Sequence, residues 1–503
     1  RLFAYQKLEE YLTFESLEII KKEAKTEGDE EVIKAAKRTI KSLEEAAAFE
    51  MNDLNIRELV RSTESKDRKK GARLLSKITE DKHVPYLLEL LRDINPQVRS
   101  AAMTSAGKLR RAELWPVLVE NLHLSTYSNV AMSSLNLAGS AGFHNIDTAF
   151  YKTGQYQSTM IRIVQLLGRI GGKEGIDLLW KKVEFPNRRI VSEILLSLSY
   201  NGFQAKDFQR ARMKLSIESE VSDIAWNIKA IQEIPNEDEL DKMIREAFRE
   251  EDIQNYTDLF MLLGMIYDTQ NVKLVQDSIE DGTTESITFA VEMFDIFAED
   301  DFKPRVIPAL DDLKTSERLD KMIEFYPPEE FSSYEDVLIQ VINRDYNRIN
   351  RFTKALAMYK LAQIEDIKVN DTLIANLFNP DPLLLQVAGH AIYSIDKEAY
   401  HYHTRRIKPS VKKELDKVIV PPVFVGEDED YHQKMLLLER ILLLKKIKWF
   451  EDIPGEVLSY LVEVMEEIRV TAGTTLIEQG EPGNSPIYIV VDGVVNIDGE
   501  QQE

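Results

Sequence analysis

A glycine-rich segment at 168–173 (GRIGGK) carries the residue types of a phosphate-binding loop. The full pattern GxxxxGK[ST] needs a strand before the first glycine and a Ser or Thr after the lysine, which then contacts a metal ion. Here Glu174 follows Lys173, and the residues before Gly168 have helical periodicity. We therefore interpret the segment as a turn between two helical repeats.

Three histidines, His390, His401 and His403, are candidates for metal ligands. Structural zinc sites take four ligands, commonly including cysteine, and the chain has no cysteine. His401 and His403 are two positions apart, a spacing that places both on one side of a strand but not of a helix. A surface or interface pair is the simpler interpretation, and we predict no metal site.

Acidic residues cluster at two places, at Glu299, Asp300 and Asp301, and again at Asp311 and Asp312. Such carboxylates could hold calcium, but the spacing D-x-[DN]-x-[DN]-G of a calcium loop is absent. We interpret both clusters as solvated loop charge.

Sequence signatures of a nucleophile with its base are also missing. Neither GxSxG nor HExxH occurs, and these patterns mark serine hydrolases and zinc proteases. We predict no catalytic residue, no cofactor and no enzymatic activity. The tryptophans are spread along the chain and are predicted to pack between helices rather than to form a binding platform: Trp115, Trp180, Trp226 and Trp449.

The charge of the chain narrows the class of partner. With 86 acidic and 64 basic residues, the formal net charge is -22. Nucleic acid is not expected as a partner, because phosphate binding needs a cationic footprint. Two basic segments, at 66–73 (KDRKKGAR) and 405–413 (RRIKPSVKK), are interpreted as solvated helix faces. The absence of cysteine excludes disulfides and thiolate chemistry.

The sequence has a recurring pattern of two helices joined by a short turn. In segment 84–109, one apolar stripe of helical period is followed by the turn DINP and by a second stripe rich in small residues. Asn95 can cap the second helix, Pro96 fits its first turn, and Gly107 allows a neighbouring helix to approach. Second helices are predicted near Asn95, Tyr127, Thr159 and Asn187, with spacings of 32, 32 and 28 residues by subtraction, inside the range of about 20–50 that indicates repeats.

Glycines near the ends of these repeats are predicted to end helices, because the residue after a helix often takes positive φ. They are Gly139, Gly168 and Gly202. Weaker copies of the second helix are predicted at 257–267, 284–297 and 381–395.

The repeats resemble the HEAT family in its short bacterial form. The resemblance rests on the block DINPQVRSAA, with Asp93, Val98 and Arg99, and on NPDPLLLQVAGHA at 379–391, and it covers roughly residues 60–400. The period is shorter than the ~40–47 residues of HEAT repeats, which leaves the repeat class open. The resemblance implies an armadillo-like α-solenoid that binds a protein partner.

The pattern changes after residue 421. An acidic linker at 426–430 (GEDED) leads to apolar helices at 431–449 and 450–468. From Arg469 onward, Val, Ile, Thr and Tyr between glycines predict strands.

This region resembles the first half of a cyclic-nucleotide-binding domain. The resemblance implies a partial β-roll. The phosphate-binding cassette of that family, with its helix amides and arginine, is absent from this chain, so we assign no residue to cofactor binding and expect no cyclic nucleotide to bind. The residues that carry the resemblance are 444–450, Ile453, Pro454, Leu458, Gly473, Ile477, Gly480, Glu481, Gly483, 488–490 and Gly493.

A HEAT-like array followed by such a domain is similar to the tail of bacterial proteins whose membrane domain resembles nucleotide (ATP/ADP) carriers. The start at Arg1 instead of Met fits such a tail. No apolar run here reaches the ~18 residues of a membrane span. We expect a cytoplasmic regulatory scaffold, tethered to a membrane by a segment outside this chain. The alternative is a free-standing adaptor in which the β-roll caps the solenoid.

The predicted fold is therefore mainly α, a solenoid of HEAT-like repeats followed by a partial β-roll. Four regions are predicted: a helical lead-in or cap at 1–55, the solenoid at 56–420, an acidic linker with a connecting helix at 421–449, and the incomplete cyclic-nucleotide-binding-like domain at 450–503. The expected partners are a protein on the solenoid surface and a membrane domain in the same polypeptide.

Overall fold

The structure is a computed structural model that describes residues 17–25, 28–48, 53–77, 81–421, 433–477 and 486–496. It divides into two compact units, Arg1–Arg405 and Arg406–Glu503. All regular elements of the described ranges are helices. The prediction of a mainly α fold is confirmed for these residues, whereas the β-roll is not found.

The first unit begins with the helices α1 (Leu17–Glu23) and α2 (Glu30–Ala48), which pack against each other. Val32, Ala36 and Thr39 are buried and lie on one side of α2. The exposed side carries Lys37 and Arg38. This division of apolar and charged residues is what an amphipathic helix needs to pack on one face.

Five two-helix units follow, each with a first helix that packs against the second. The pairs are α3 (Asp53–Val60) with α4 (Ser65–Leu74), α5 (Val84–Leu90) with α6 (Pro96–Leu109), α7 (Trp115–Glu120) with α8 (Ser125–Ala138), α9 (Phe143–Phe150) with α10 (Gln157–Ile170), and α11 (Gly172–Trp180) with α12 (Arg188–Tyr200). Short 3-10 turns lie at Leu75–Lys77, Asp81–His83, Ala112–Leu114, Asn121–His123 and Gly139–Gly142.

The caps of the second helices give the repeat length directly. They are Glu64, Asn95, Leu124, Tyr156 and Asn187, with spacings of 31, 29, 32 and 31 residues by subtraction. The predicted starts at Tyr127 and Thr159 were therefore each three residues late. The Asn95 side chain accepts hydrogen bonds from the backbone N–H groups of Gln97 and Val98, as an N-cap does.

Two long helices come next, α13 (Phe208–Glu233) and α14 (Glu239–Ile266), and they pack against each other. Four further helices follow, of which the first packs against α14, the third and fourth pack against α13, and the second packs against the first and the third. These are α15 (Thr269–Asp281), α16 (Thr284–Phe297), α17 (Lys303–Leu310) and α18 (Thr315–Ile323).

The chain returns to α14 through α19 (Tyr334–Asn343) and α20 (Arg351–Leu361). The unit ends with α21 (Asp371–Asn376), α22 (Pro382–Ile395) and α23 (Lys397–Thr404). Helix α20 packs against α14 on one side and α22 on the other. Helix α20 has no simple apolar stripe, because its buried residues include Arg351, Lys354 and Lys360, and it was therefore not predicted from the sequence.

Eight helices thus lie side by side in one layer, each packed against the next. We call this the inner layer, and it consists of α4, α6, α8, α10, α12, α14, α20 and α22. The first helices α3, α5, α7, α9 and α11 form the outer layer. This stacking is consistent with the predicted α-solenoid. Of the weaker predicted copies, the helix at 284–297 is α16, which lies outside the row.

Close helix contacts depend on two equivalent glycines. A Cβ on Gly107 of α6 would lie 2.7 Å from the Cα of Ser134 on α8, and a Cβ on Gly168 of α10 would lie 2.8 Å from the Cβ of Ser197 on α12. Gly107 has the predicted role. Gly168 was predicted to end a helix, but it lies inside α10, and the helix ends at Gly171, which has φ 63°. Gly139 does end its helix with positive φ, and Gly202 follows α12 with positive φ.

The second unit contains three helices among its described residues. They are α24 (Pro409–Ile419), α25 (Leu437–Lys445) and α26 (Gly455–Glu463), with α25 packed on α26. The apolar residues Leu438, Ile441, Leu444, Leu458 and Val462 are buried.

The prediction of strands from Arg469 onward is wrong for the residues that the structure describes. Residues 469–477 and 486–496 contain no strand and no bridge, and Ile487 is 89% exposed and Val494 91% exposed. A strand satisfies its backbone N–H and C=O groups only when a second strand pairs with it, and high β-propensity alone does not supply a partner. Gly480, Glu481, Gly483 and the acidic linker at 426–430 lie outside the described residues.

Candidate functional site

The inner layer presents one exposed face, built from equivalent positions of α4, α6, α8, α10 and α12. Each helix turns one side to its outer helix and two sides to its neighbours in the row, which leaves positions 2, 5, 6, 9 and 13 after each cap toward solvent. Those of them whose burial the structure describes are exposed or half-buried. We call this surface the inner-layer face. Its polar uncharged residues are Gln97, Ser100, Thr104, Thr126, Asn129, Ser133, Ser158, Gln165 and Ser192.

The charged residues of the inner-layer face are mostly cations. Glu193 is the single acid at these positions of the five helices. Arg162 reaches inward and donates to the backbone oxygen of Leu122 at 2.5 Å. The other cations are Lys66, Lys69, Lys70, Arg73, Lys108, Arg169 and Arg189.

The outer layer exposes both signs of charge. Its helices and the turns beside them expose the acids Glu89, Glu113, Glu120, Glu174 and Asp177 and the cations Arg57, Arg61, Lys82, Arg92, Lys173 and Lys181. In a chain with net charge -22, the excess of cations is therefore found on the inner-layer face of these helix pairs. The basic segment at 66–73, predicted to be a solvated helix face, is one end of this cationic surface.

A ladder of arginines links successive inner helices below the face. Arg68 of α4 contacts both carboxylate oxygens of Asp93, at 2.7 and 3.1 Å, in the turn before α6. Arg99 of α6 donates to the side chain of Asn121 at 2.5 Å and stacks over Tyr127 at 4.5 Å. These contacts join the first repeat to the second and the second to the third.

A second polar cluster lies where α20 joins the row. Arg188 of α12 donates to Glu251 of α14 at 2.9 Å and also contacts the Asn255 side-chain oxygen. Glu251 in turn accepts from the N–H of Asn350 at 2.8 Å and from the Thr353 hydroxyl at 2.9 Å. The side chain of Glu251 is 2% exposed, so these three groups hold the carboxylate away from water.

The cluster continues onto α13. Asp223 accepts from Arg344 at 2.6 Å and from Arg348 at 2.7 Å, and the Arg344 guanidinium lies 3.9 Å from the centre of the Trp226 ring. The Trp226 indole donates to Glu329 at 2.7 Å. Buried ion pairs of this kind need several hydrogen bonds to offset desolvation, and this one has them.

Burial shifts the pKa of several carboxyl groups at this junction. Burial, together with Asp258 and Asp223, raises the pKa of Glu220 to about 8, although Arg188 and Arg348 oppose the shift. Burial raises the pKa of Asp252 to about 7, against a hydrogen bond from Asn227.

Carboxyl groups with raised pKa values can act as acids or bases in enzymes, but structural networks also perturb them. Here Asp252 and the neighbouring Asp258 accept hydrogen bonds from protein side chains, Asp258 from Ser192 at 2.8 Å. These hydrogen bonds join α14 to α13 through Asp252 and to α12 through Asp258.

The acidic cluster at 299–301 splits into two kinds of residue. Asp300 is exposed and pairs with Lys303, and Asp301 is exposed, as predicted for solvated loop charge. Glu299 was predicted wrongly, because it accepts from the Tyr267 hydroxyl and pairs with Arg210 at 2.9 Å and Lys214 at 3.3 Å. Burial opposes ionisation of Glu299, but these hydrogen bonds lower its pKa to about 2.

The two residues of the second acidic cluster, Asp311 and Asp312, both accept hydrogen bonds. Asp312 accepts a hydrogen bond from the Thr284 hydroxyl at 2.7 Å and is exposed. The backbone oxygen of Asp311 accepts from Arg318 at 2.7 Å. Both residues therefore serve the contacts between α16, α17 and α18.

The glycine-rich segment and the histidines have structural surroundings. Gly171 and Gly172 have φ 63° and 71° and form the turn between α10 and α11, as predicted. His401 and His403 lie on α23 and so point to different sides, and His390 stacks on Tyr359 at 5.1 Å. In the part of the chain that the structure describes, no group of three His, Asp or Glu residues could hold a metal ion.

The tryptophans were predicted to pack between helices. Trp115 and Trp226 are buried, and Trp180 stacks on Phe203 at 5.4 Å, so the prediction holds for these three. Trp449 is 84% exposed, and for this residue the prediction was wrong.

No protein-family model matches the sequence, and no curated protein matches it. Among the described residues, no helix combines the length and apolar character that crossing a membrane requires.

Proposed function

We propose that this chain is a non-enzymatic scaffold that binds a protein partner on the inner-layer face. The observation that carries the proposal is the repetition of exposed positions on five adjacent helices, at cap spacings of 31, 29, 32 and 31 residues by subtraction. Neighbouring helix axes lie about 8–10 Å apart, so the four intervals between five helices give a surface about 32–40 Å long. A surface of this length can contact an extended peptide or a helix.

The construction of the face supports binding rather than catalysis. Its uncharged side chains are mostly hydroxyls and amides, which both donate and accept hydrogen bonds. The contacts of Arg68 with Asp93 and of Arg99 with Asn121 join the helices that carry them. A surface that is ordered before the partner arrives loses less entropy on binding.

The proposal includes the HEAT-like class of repeat. The short period, the Asn-Pro turn at the cap of α6 and the arginine ladder support it. A membrane domain in the same polypeptide is part of the proposal only through the sequence resemblance. We do not extend the proposal to nucleotide sensing, because the strands that this activity requires are not found among residues 469–477 and 486–496.

Site-specific photo-cross-linking in the cells that naturally produce this protein tests the proposal. A benzoylphenylalanine replaces Ser133 or Gln165 on the face, and Glu120 or Glu174 on the outer layer serves as the matched exposed control. The same protein adduct is expected at both face positions and at neither outer position, and mixing with the purified partner must reproduce it. Adducts of equal yield on both layers, or none on the face, would refute the scaffold function.

A further inference from the structure

We propose that the partner bound by the inner-layer face is an acidic, extended protein segment, an inference that rests on the proposed function. The face contains Lys66, Lys69, Lys70, Arg73, Lys108, Arg169 and Arg189 against the single acid Glu193. The outer layer of the same helix pairs exposes both acids and cations, so the excess of cations is a property of the face. A surface with one sign of charge attracts and orients a partner of the opposite sign.

The length of the face fits an extended segment. Five helices at about 8–10 Å spacing cover about 32–40 Å, and an extended chain rises about 3.3 Å per residue. About ten to twelve residues therefore cross the face. Hydroxyl and amide side chains on α6, α8 and α10 can donate to the carboxylates and pair with the backbone of such a segment.

The two ends of the face differ, which gives the bound segment a direction. The α4 end carries three lysines and Arg73. The α12 end carries Leu196 and Tyr200, which is 87% exposed. The acidic residues of the segment are therefore placed over α4 and α6, and an apolar residue lies over α12.

A nucleic acid fits this surface less well. Single strands are held by aromatic side chains on which bases stack, and Tyr200 is the single aromatic residue at the defined positions of the inner-layer face. The net charge of -22 also opposes a polyanion that extends past the face. The carboxylates of a short peptide segment can be bound by the cations of the inner-layer face alone.

Fluorescence anisotropy with a labelled peptide tests the inference. The probe is a dodecapeptide of ten glutamates followed by Leu-Phe, and single-stranded DNA of twelve nucleotides and a decalysine peptide are the comparisons. The acidic peptide is expected to bind at low salt and to weaken steeply as NaCl rises, because exposed charges are screened. No saturable binding of the acidic peptide, or tighter binding of the DNA, would overturn the inference.

Charge reversal locates the binding surface. The double variant Lys108→Glu, Arg169→Glu is expected to weaken peptide binding at least tenfold. The control double variant Arg57→Glu, Lys152→Glu makes the same change in net charge at exposed positions on α3 and after α9, and is expected to stay within twofold. Equal losses in the two variants, with unchanged circular dichroism, would show a general charge effect and refute the site.

The two proposals can fail separately. If face-specific protein adducts form at Ser133 and Gln165 but the acidic peptide does not bind, the scaffold function stands and the acidic partner is wrong. If the face gives no adducts, the scaffold function is wrong whatever the peptide does.

Discussion

Asp241 and Glu251 lie ten residues apart on α14 and hold opposite ends of α20. Glu251 accepts from the backbone of Asn350 and the hydroxyl of Thr353, and Asp241 pairs with Lys360 at 2.9 Å. Ten residues of helix span about 15 Å, which matches the nine helical steps from Arg351 to Lys360 on an antiparallel neighbour. The two carboxylates thus fix both the position and the register of a helix that sequence analysis did not identify.

Removing Glu251 is expected to release α20. In Glu251→Ala, Arg188 keeps its charge in a largely buried site and loses its carboxylate, a change that costs about 3–5 kcal/mol of unfolding free energy. Hydrogen exchange should accelerate in residues 350–361, and urea unfolding should shift to lower concentration. Glu246→Ala, at an exposed position of the same helix, is the control and should cost less than about 1 kcal/mol. Unchanged exchange in 350–361 would contradict the role of Glu251.

The raised pKa of Glu220 predicts a dependence of stability on pH. Below pH 4.5 the carboxyl is protonated in folded and unfolded chains, between pH 4.5 and about 8 only the folded chain keeps the proton, and stability therefore falls as pH rises through this window. Glu220→Gln cannot ionise and should be more stable than the parent at pH 9, on the order of 2 kcal/mol, with no gain near pH 4.5. Thermal unfolding across this range measures the effect, with Glu174→Gln as control. A difference that does not change with pH would refute the prediction.

Glu299 predicts the opposite trend. Its pKa of about 2 lies below the usual 4.5, so its contribution is complete above pH 4.5 and is lost as pH falls toward 2. Glu299→Gln should lower stability at pH 7 by about 1 kcal/mol, a small value because the side chain is partly exposed. The difference should narrow in thermal unfolding at pH 3. A larger effect at pH 3 than at pH 7 would contradict this assignment.

Gly107 predicts a packing defect. In Gly107→Ala, the new Cβ would lie 2.7 Å from the Cα and 2.8 Å from the backbone oxygen of Ser134, so α6 and α8 must separate. We expect a loss of about 1–3 kcal/mol in urea unfolding. Gly264→Ala is the control, because no atom lies within 4 Å of its Cβ position inside α14, and alanine there should stabilise the helix by about 0.5–1 kcal/mol. Equal effects at the two glycines would refute the close-contact explanation.

Local patterns in the sequence predicted the repeats well. They predicted the later part of the inner layer, where α14 and α20 lie, poorly. Asn95 and Asn187 marked their caps because a side-chain cap and a change of periodicity coincide there. Leu124 and Tyr156 cap helices without a side-chain hydrogen bond, so those starts were displaced.

Contacts between distant segments could not be read from local patterns. Glu251 looks like any charged residue in 249–252 (REED), and only the return of α20 after 84 residues, by subtraction of Ile266 from Asn350, buries it. The inner-layer face was not identified from the sequence, because the basic segment 66–73 was interpreted as a solvated helix face. Lys108, Arg169 and Arg189 extend the cationic surface only when the helices that carry them lie side by side. The sequence alone does not show this arrangement.

The interruption of the row at α15–α18 has a consequence for synthesis of the chain. Helix α14 leaves the ribosome with Glu251 still lacking its contacts to Asn350 and Thr353, and about 85 residues must follow before α20 appears. At roughly 5–20 residues per second, the ribosome needs about 4–17 s for that interval. During this time the nascent protein has an uncovered edge at α14. A chaperone or the helices α15–α18 must protect this edge until α20 packs against it.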